Sequence, residues 1–395
     1  MTPRVLVLTP YYYPVIGGVE SNAERFARFL VGAGVPVQVL TKRLFPTLAD
    51  EDTRHGVPIR RIGPLGERSG LGKWRMLPAV YGWLVAHASE YDVVCVVDYR
   101  GVGVAAIAAR GRTGKRVMMQ GQTTGVLSGT VGGAGVNSEG LLTRLVKWPI
   151  RRLYAKTDAV ACISRVLQDE ALAFGIEPSR VHLLPNAIDM VRFSPADADD
   201  RTRRRRALGL ADDQVVCMYV GRLSREKGVL ELVEAWKAAR ADNAVLLLVG
   251  PDMPGSPWDA GPSARAFVDA NGLQASVRFL GPTENPADVL QLADVAVLPS
   301  HFEALGLAAI EALACGLPVV ASRVGGIPDF VADDTNGLLV PPKDAGSLAV
   351  ALRTMLTDHN RRARMAASAR ASVAEYDERL VFGRMLAVLT TLATP

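Results

Sequence analysis

Short apolar runs alternate with longer helix-like stretches along nearly the whole chain. No other feature constrains the fold as strongly. Val5–Leu8, Val35–Leu40, Val93–Val97, Arg116–Met119 and Ala159–Ile163 form one series of runs. Val215–Val220, Val245–Val249, Val277–Leu280, Val295–Leu298 and Val319–Ala321 form a second. Each is a short, mostly apolar run, as expected for strands of a parallel sheet covered on both sides. The alternation predicts doubly wound α/β layers, with helices on each face of two parallel sheets. Between the series, Pro185 to Ala211 is rich in Pro, Asp and Arg and poor in apolar runs, so the domain break is expected near residue 195. The expected organisation is two similar α/β domains facing each other across a cleft. Ligands of such sheets bind outside the carboxyl ends of the strands. The strand-to-helix loops are therefore where chemistry is sought.

A chain of 395 residues is long enough for two such domains, each with its own core. Cys95, Cys162, Cys217 and Cys315 form no CxxC pair, lie in or beside apolar stretches, and read as buried reduced thiols. The five histidines, His55, His87, His182, His301 and His359, are scattered and make no zinc motif. No run approaches the ~18 apolar residues of a membrane span. The first apolar run is too short for a signal-peptide core, so a cytoplasmic location is the expectation. The formal net charge of +5 is concentrated in Arg201–Arg206 (RTRRRR) and Lys147–Lys156 (KWPIRRLYAK). Without a recognition motif this charge does not argue for nucleic acid. A solvated helix face is the plain reading, and contact with anionic lipid headgroups or an acidic substrate is the alternative.

Three motifs carry chemistry. Gly17 and Gly18, in PVIGGVE, stand between the first strand and the first helix, where free N–H groups and a helix N-terminus suit an anion. A tight turn explains the two glycines equally well, and their spacing is not that of a dinucleotide fingerprint. Arg222 and Lys227, in GRLSREKG, follow a strand directly and suit a pyrophosphate, against the alternative of a solvated basic turn. The third motif runs from Ser300 to Val319, SHFEALGLAAIEALACGLPV. It places Glu303 in a loop, starts a helix near Gly306 and puts Glu311 in an otherwise apolar helix, where an acid needs a partner. On a continuous helix, Glu303 and Glu311 would lie about 12 Å apart along the axis and roughly 80° around it. That spacing fits two contacts along an extended ligand better than a shared catalytic pair. Amides near Leu305, Gly306 and Leu307 would be free for phosphate.

Together these motifs resemble the retaining glycosyltransferases of family 4, whose fold of two Rossmann-like domains is called GT-B. The resemblance rests on Glu303–x7–Glu311 with ACGLPVV after it, GRLSREKG, PNAID with Phe193, PYYYPVIGGVE and GGIPDFV, in order along essentially the whole chain. It implies an acceptor-binding domain over residues 1–195 and a nucleotide-sugar-binding domain over 196–375. Residues 376–395 would form a helix crossing back to the first domain. It further implies that Arg222 and Lys227 bind the donor pyrophosphate, Glu303 the transferred sugar and Glu311 the ribose. Leu305, Gly306 and Leu307 would hold phosphate and sugar through their amides, Gly17 and Gly18 would close over the phosphates, and Gly281 would border the nucleobase. The implied reaction moves a hexosyl group to a hydroxyl with retention, without metal or cofactor. UDP- and GDP-linked donors are both used by relatives, with UDP expected here. The acceptor is a lipid-linked, polysaccharide-precursor or secondary-metabolite hydroxyl. Its expected surroundings are the loops at Arg43–Asp52, Tyr99–Arg100 and Thr123–Ser138. Lys73–Leu84 brings together Trp74, Met76, Leu77, Tyr81 and Trp83; core packing is expected for most of them, with a lipid- or acceptor-facing patch as the alternative. No nucleic-acid partner, a monomer or homodimer, and peripheral contact with the inner face of a membrane complete the expectation.

Three departures from the family pattern stand out. Gln120, in MMQG, occupies the position many relatives give to histidine; it can hydrogen-bond the sugar but cannot take up a proton. Leu305 replaces the usual Phe, and Asp329 replaces a Glu. Two other readings stay open: a nucleotide-sugar epimerase or hydrolase of the same fold, and a catalytically silent donor-binding scaffold.

Overall fold

A computed structural model of the 395-residue chain describes residues 2–15, 17–63, 65, 76–98, 101–125, 127, 152–239 and 241–394. The chain divides into two compact units. One comprises Met1–Ala187 together with Glu378–Pro395, the other Ile188–Asp377.

The first unit is built on an eight-stranded sheet of β1 (Val5–Leu8), β2 (Val37–Lys42), β3 (Glu51–Arg54), β4 (Val57–Ile62), β5 (Val93–Val97), β6 (Arg116–Gly121), β7 (Ala159–Cys162) and β8 (Val181–Leu183), in the order β3-β4-β2-β1-β5-β6-β7-β8. All neighbours are parallel except β3 and β4, which form an antiparallel hairpin at the edge. The hairpin escaped the sequence reading because β3, EDTR, is polar and mostly exposed. It takes up the carboxyl end of the Arg43–Asp52 stretch, expected to be a loop. The helix Glu378–Ala393 belongs to this unit, burying Val381, Phe382, Met385 and Leu389. Phe382 packs against Phe26 and Phe29 of the helix Gly18–Gly32, with ring centroids 5.3 and 5.6 Å away. Arg25 of that helix donates to the carbonyl of Ala187 and lies 3.7 Å from Glu378, so one side chain touches the last residue before the second unit and the first residue after it.

The second unit carries six strands, β9 (Val215–Val220), β10 (Ala244–Val249), β11 (Val277–Gly281), β12 (Val295–Leu298), β13 (Val319–Ser322) and β14 (Gly337–Val340). They are all parallel, in the order β11-β10-β9-β12-β13-β14. This is the 3-2-1-4-5-6 order of a doubly wound sheet. Its strands are short apolar runs, and β10, AVLLLV, is buried throughout. The unit begins at Ile188 rather than near residue 195, because Ile188 donates to the carbonyl of Tyr376 at 2.9 Å and bridges to Asp377.

The basic run is a helix of this unit with part of its charge tied inward, while Arg203 and Arg206 stay largely exposed. It forms the helix Ala198–Ala207, capped by the Asp197 side chain, with Asp199 and Asp200 in its first turn and three arginines in its last. Arg201 and Arg205 both reach Asp294, at 2.7 and 3.2 Å, and Arg205 is 3% exposed. Arg203 and Arg204 pair with Asp200, and Arg206 pairs with Asp212. Asp294 also accepts from the amide of Val216 at 2.8 Å, which pins the helix to the start of β9. Asp294→Ala would leave Arg205 buried without its carboxylate, at a cost of about 3 kcal/mol. The urea midpoint of the variant should fall accordingly; an unchanged midpoint would contradict this account of the helix.

Candidate functional site

In the second unit the direction of strand crossovers reverses between β9 and β12, its central pair. Loops after these two strands diverge, and the crevice they leave is where such sheets bind ligands. The loop after β9 carries Arg222 and Lys227, and the loop after β12 carries Glu303. The structure joins them: Lys227 Nζ lies 2.6 Å from Glu303 Oε1, which also accepts from Ser300 Oγ at 2.9 Å. Arg222 is ion-paired with Glu226, and its Nη1 lies 3.8 Å from Met253 Sδ. The backbone of Arg222 is held from below. Tyr219 is fully buried in the core and donates its hydroxyl to the Arg222 carbonyl at 2.6 Å. Burial, and then the nearby Glu303, pushes the Tyr219 phenol up, so it stays a donor.

Glu303 stands in a loop and the helix begins only at Leu307, so the two glutamates are not on one continuous helix. Gly306 is the N-cap, at φ 98°, with no side chain to close the helix end. The first amides of the helix have no intrahelical acceptor, and their partial positive charge faces out of the N-terminus. Leu305 and Gly306 are buried and Leu307 half-buried. Glu311 is half-buried one turn further on. It adds to the effect of burial in pushing the neighbouring Cys315 thiol up to about 12, so that cysteine is not a nucleophile.

A third loop supports Glu303 from the far side. Gly325, at φ 53°, opens the segment after β13, and a Cβ there would lie 1.5 Å from the Glu303 carbonyl oxygen. Only glycine lets the two backbones approach so closely. Asp329 closes the short turn Ile327–Asp329 in the same segment. Gly281 ends β11, and its carbonyl accepts from Gly250 at 2.8 Å, joining the loops after β10 and β11.

The first unit has its own crossover reversal, between β1 and β5. Gly17 caps the helix Gly18–Gly32 after β1 with extended backbone and no side-chain cap, and the Glu20 carboxylate folds back beside it. After β5, Asp98 adopts φ 78°, a left-handed conformation uncommon for a residue with a side chain, and is buried. Gln120 lies inside β6 rather than in a loop and is fully buried. Its Nε2 donates to Asn186 Oδ1 at 3.3 Å, and Gln122 exchanges hydrogen bonds with the same Asn186 at 3.2 and 2.8 Å. Gln120 Oε1 has no hydrogen-bond partner among the described residues.

Sequence reasoning named Asn186 only as a motif letter and missed its hold on Gln120. It also missed His301, whose Nε2 lies 2.9 Å from Glu231 Oε1, because the partners are far apart in sequence. Of the Lys73–Leu84 cluster, Met76, Trp83 and Leu84 are core residues. Trp74, Tyr99, Arg100, most of Thr123–Ser138 and the first part of Lys147–Lys156 lie outside the described residues. All four cysteines are free and buried. No group of three or more His, Cys, Asp or Glu residues able to hold a metal occurs among the described residues. No helix among them is long and apolar enough to cross a membrane.

Comparison with known proteins places this geometry. Residues 200–372 match the family described as glycosyl transferases group 1, and residues 16–192 match glycosyltransferase family 4. A D-inositol 3-phosphate glycosyltransferase of Xylanimonas cellulosilytica is 37% identical, over 94% of this chain and 92% of that protein. The enzyme of the same name from Geodermatophilus obscurus is 30% identical, over 95% of this chain and 85% of its own. Among solved structures, sucrose-phosphate synthase from Thermosynechococcus elongatus superposes with a TM-score of 0.81 at 26% identity, covering 98% of this chain and 99% of that one. Anabaena HepE in complex with UDP shares the fold, with a TM-score of 0.81 at 21% identity, covering 98% of this chain and 100% of its own. The chain belongs to the family 4 glycosyltransferases and has their GT-B fold.

Proposed function

We propose that the protein transfers a hexosyl group from a UDP-sugar to a hydroxyl acceptor, with retention of configuration and without a metal ion. The observation that carries this reading is the junction at the second unit's switch point. There a lysine, a carboxylate and an uncapped helix N-terminus converge from loops after adjacent parallel strands. Arg222 and Lys227 take the pyrophosphate, and the amides at Leu305, Gly306 and Leu307 add donors without a formal charge. Glu303 accepts from hydroxyls of the transferred sugar and Glu311 from those of the ribose, while Gly281 borders the nucleobase. Gly17 and Gly18 supply amides to the phosphates, and the first unit binds the acceptor.

The bond from the anomeric carbon to the diphosphate oxygen breaks, and a bond to the acceptor oxygen forms. The acceptor proton leaves with the nucleoside diphosphate. Charge building on the departing oxygen is met by the two cations and the helix end, which do the work a metal does elsewhere. Gln120 enters only as a hydrogen-bonding group, since its amide takes no proton. The naming of UDP is supported by the UDP and UDP-glucose complexes of Anabaena HepE. The names of the inositol phosphate relatives favour a phosphorylated polyol among acceptors. Intact Arg222, Lys227, Glu303 and Glu311 favour transfer over a silent scaffold.

Glu303→Gln and Lys227→Ala should each lower turnover by about 100-fold or more, the scale of losing one preorganised transition-state contact. Their melting temperatures should stay near that of the parent. Near-normal turnover in both would overturn the site assignment. Excess EDTA should leave the rate unchanged, and complete loss would contradict the metal-free reaction. In a thermal-shift series with UDP, GDP, ADP and TDP, UDP should give the largest rise, because a ligand of the native state raises its apparent stability. A larger rise with GDP would reassign the donor.

A further inference from the structure

The loop that carries Glu303 is fastened at more points than the Lys227 contact. His301, two residues before Glu303, donates its backbone N–H to the Glu226 carbonyl at 2.8 Å. Its ring Nε2 lies 2.9 Å from Glu231 Oε1, on the helix Val229–Ala239. A carboxylate only accepts, so Nε2 carries the hydrogen of this bond. Both side chains are largely withdrawn from solvent, at 16% and 24% exposure. The second Glu231 oxygen, Oε2, is buried and has no hydrogen-bond partner among the described residues. A half-satisfied buried carboxylate depends strongly on its one partner. Nothing in the donor-binding scheme uses this pair: the groups assigned to phosphate, sugar and ribose are Arg222, Lys227, Glu303, Glu311 and backbone amides.

We propose that His301 is a positioning residue, and that with Glu231 it latches the Pro299–Leu305 loop to the β9 side so that the Glu303 carboxylate is held at the donor sugar. The inference rests on Glu303 contacting that sugar. The latch explains why a helix so close to the phosphate loop carries an inward carboxylate. Glu226 pairs with Arg222 through its side chain and with His301 through its carbonyl. Glu231 holds the His301 ring. The cation loop and the carboxylate loop therefore move as one body. Releasing the ring removes this tie and loosens the loop around Glu303, while Arg222 stays anchored by Tyr219.

His301→Ala, His301→Gln and Glu231→Ala in the full chain test this. Turnover of UDP-glucose, followed as UDP release, should fall in His301→Ala and Glu231→Ala with kcat down by about 10- to 100-fold, the scale of an ångström-level misplacement. The Kd for UDP, which lacks the sugar, should stay within about 2-fold, since a removed contact to the sugar alone does not touch nucleotide binding. Glutamine offers an amide N–H at similar reach and no titratable proton, so His301→Gln should restore most of kcat. Hydrogen exchange of the amides in 299–305 should accelerate in His301→Ala and return toward the parent in His301→Gln, with or without nucleotide.

Unchanged kcat in His301→Ala, or unchanged exchange in that loop, overturns the latch. Loss of UDP affinity as large as the loss of kcat also overturns it, since the residue would then maintain the whole site. Failure of His301→Gln to restore kcat while exchange is restored would make the imidazole itself reactive, against the proposal. A parent protein that binds no UDP would sink the donor reading, and the exchange measurement would still decide the latch.

Discussion

The site depends on one constraint of parallel sheets: neighbouring strands cannot both send their crossovers to the same face from the centre outward. In the second unit the connections part at β9 and β12, and the two loops that open there face each other across the crevice. In this chain those loops hold opposite charges. Lys227 and Glu303 meet at 2.6 Å across the parting, so the topology and the ion pair enforce the same geometry. Neither alone would place this carboxylate beside this lysine.

The pairing has an electrostatic consequence. Both cations assigned to the donor already have a carboxylate neighbour, Arg222 with Glu226 and Lys227 with Glu303. Half-exposed Arg222 exchanges partners at little cost, because an exposed pair is held by about 1 kcal/mol or less. Lys227 and Glu303 are more sheltered, at 22% and 13% exposure, and their separation costs more. A donor that satisfies both at once, phosphate toward the lysine and hydroxyl toward the glutamate, offsets that cost; a bare nucleotide satisfies only one. Under the proposed donor scheme, selectivity for a sugar-bearing donor would follow from the pair itself.

Much of this was legible before the fold was known. Unbroken apolar runs such as VVCVV and AVLLLV announce strands covered on both faces, and the loops that follow them announce where ligands go. The exposed edge strand EDTR could not be found the same way, because it has no apolar residue and is held by strand pairing and by ion pairs to Glu24, Arg60 and Arg61. The arginine run shows the opposite failure. Its composition suggests a solvated or lipid-facing surface, yet Asp294, 93 and 89 residues away in sequence, pairs with Arg201 and Arg205. Local sequence reports charge but not the distant partner that neutralises it. Gln120 and His301 fall in the same class: each is explained by a residue, Asn186 or Glu231, that only the fold brings near.

The placement of Glu303 is over-determined in a way the other site residues are not. Its carboxylate is bonded by Lys227 and Ser300, its carbonyl is pressed by Gly325, and its loop is tied to the β9 side through the His301 backbone. Four restraints from three different loops leave it little freedom. Arg222, by contrast, is fixed at its backbone, and among the described residues its half-exposed tip is held only by Glu226 and Met253. The division suits their proposed tasks. A group that discriminates a transition state from a ground state must not move with the charge it stabilises, because reorganisation during reaction would spend the advantage. A group that captures a diphosphate from solution gains from reach. Rigidity is concentrated at Glu303 and compliance at the Arg222 side chain, and both follow from which side chains the three loops share.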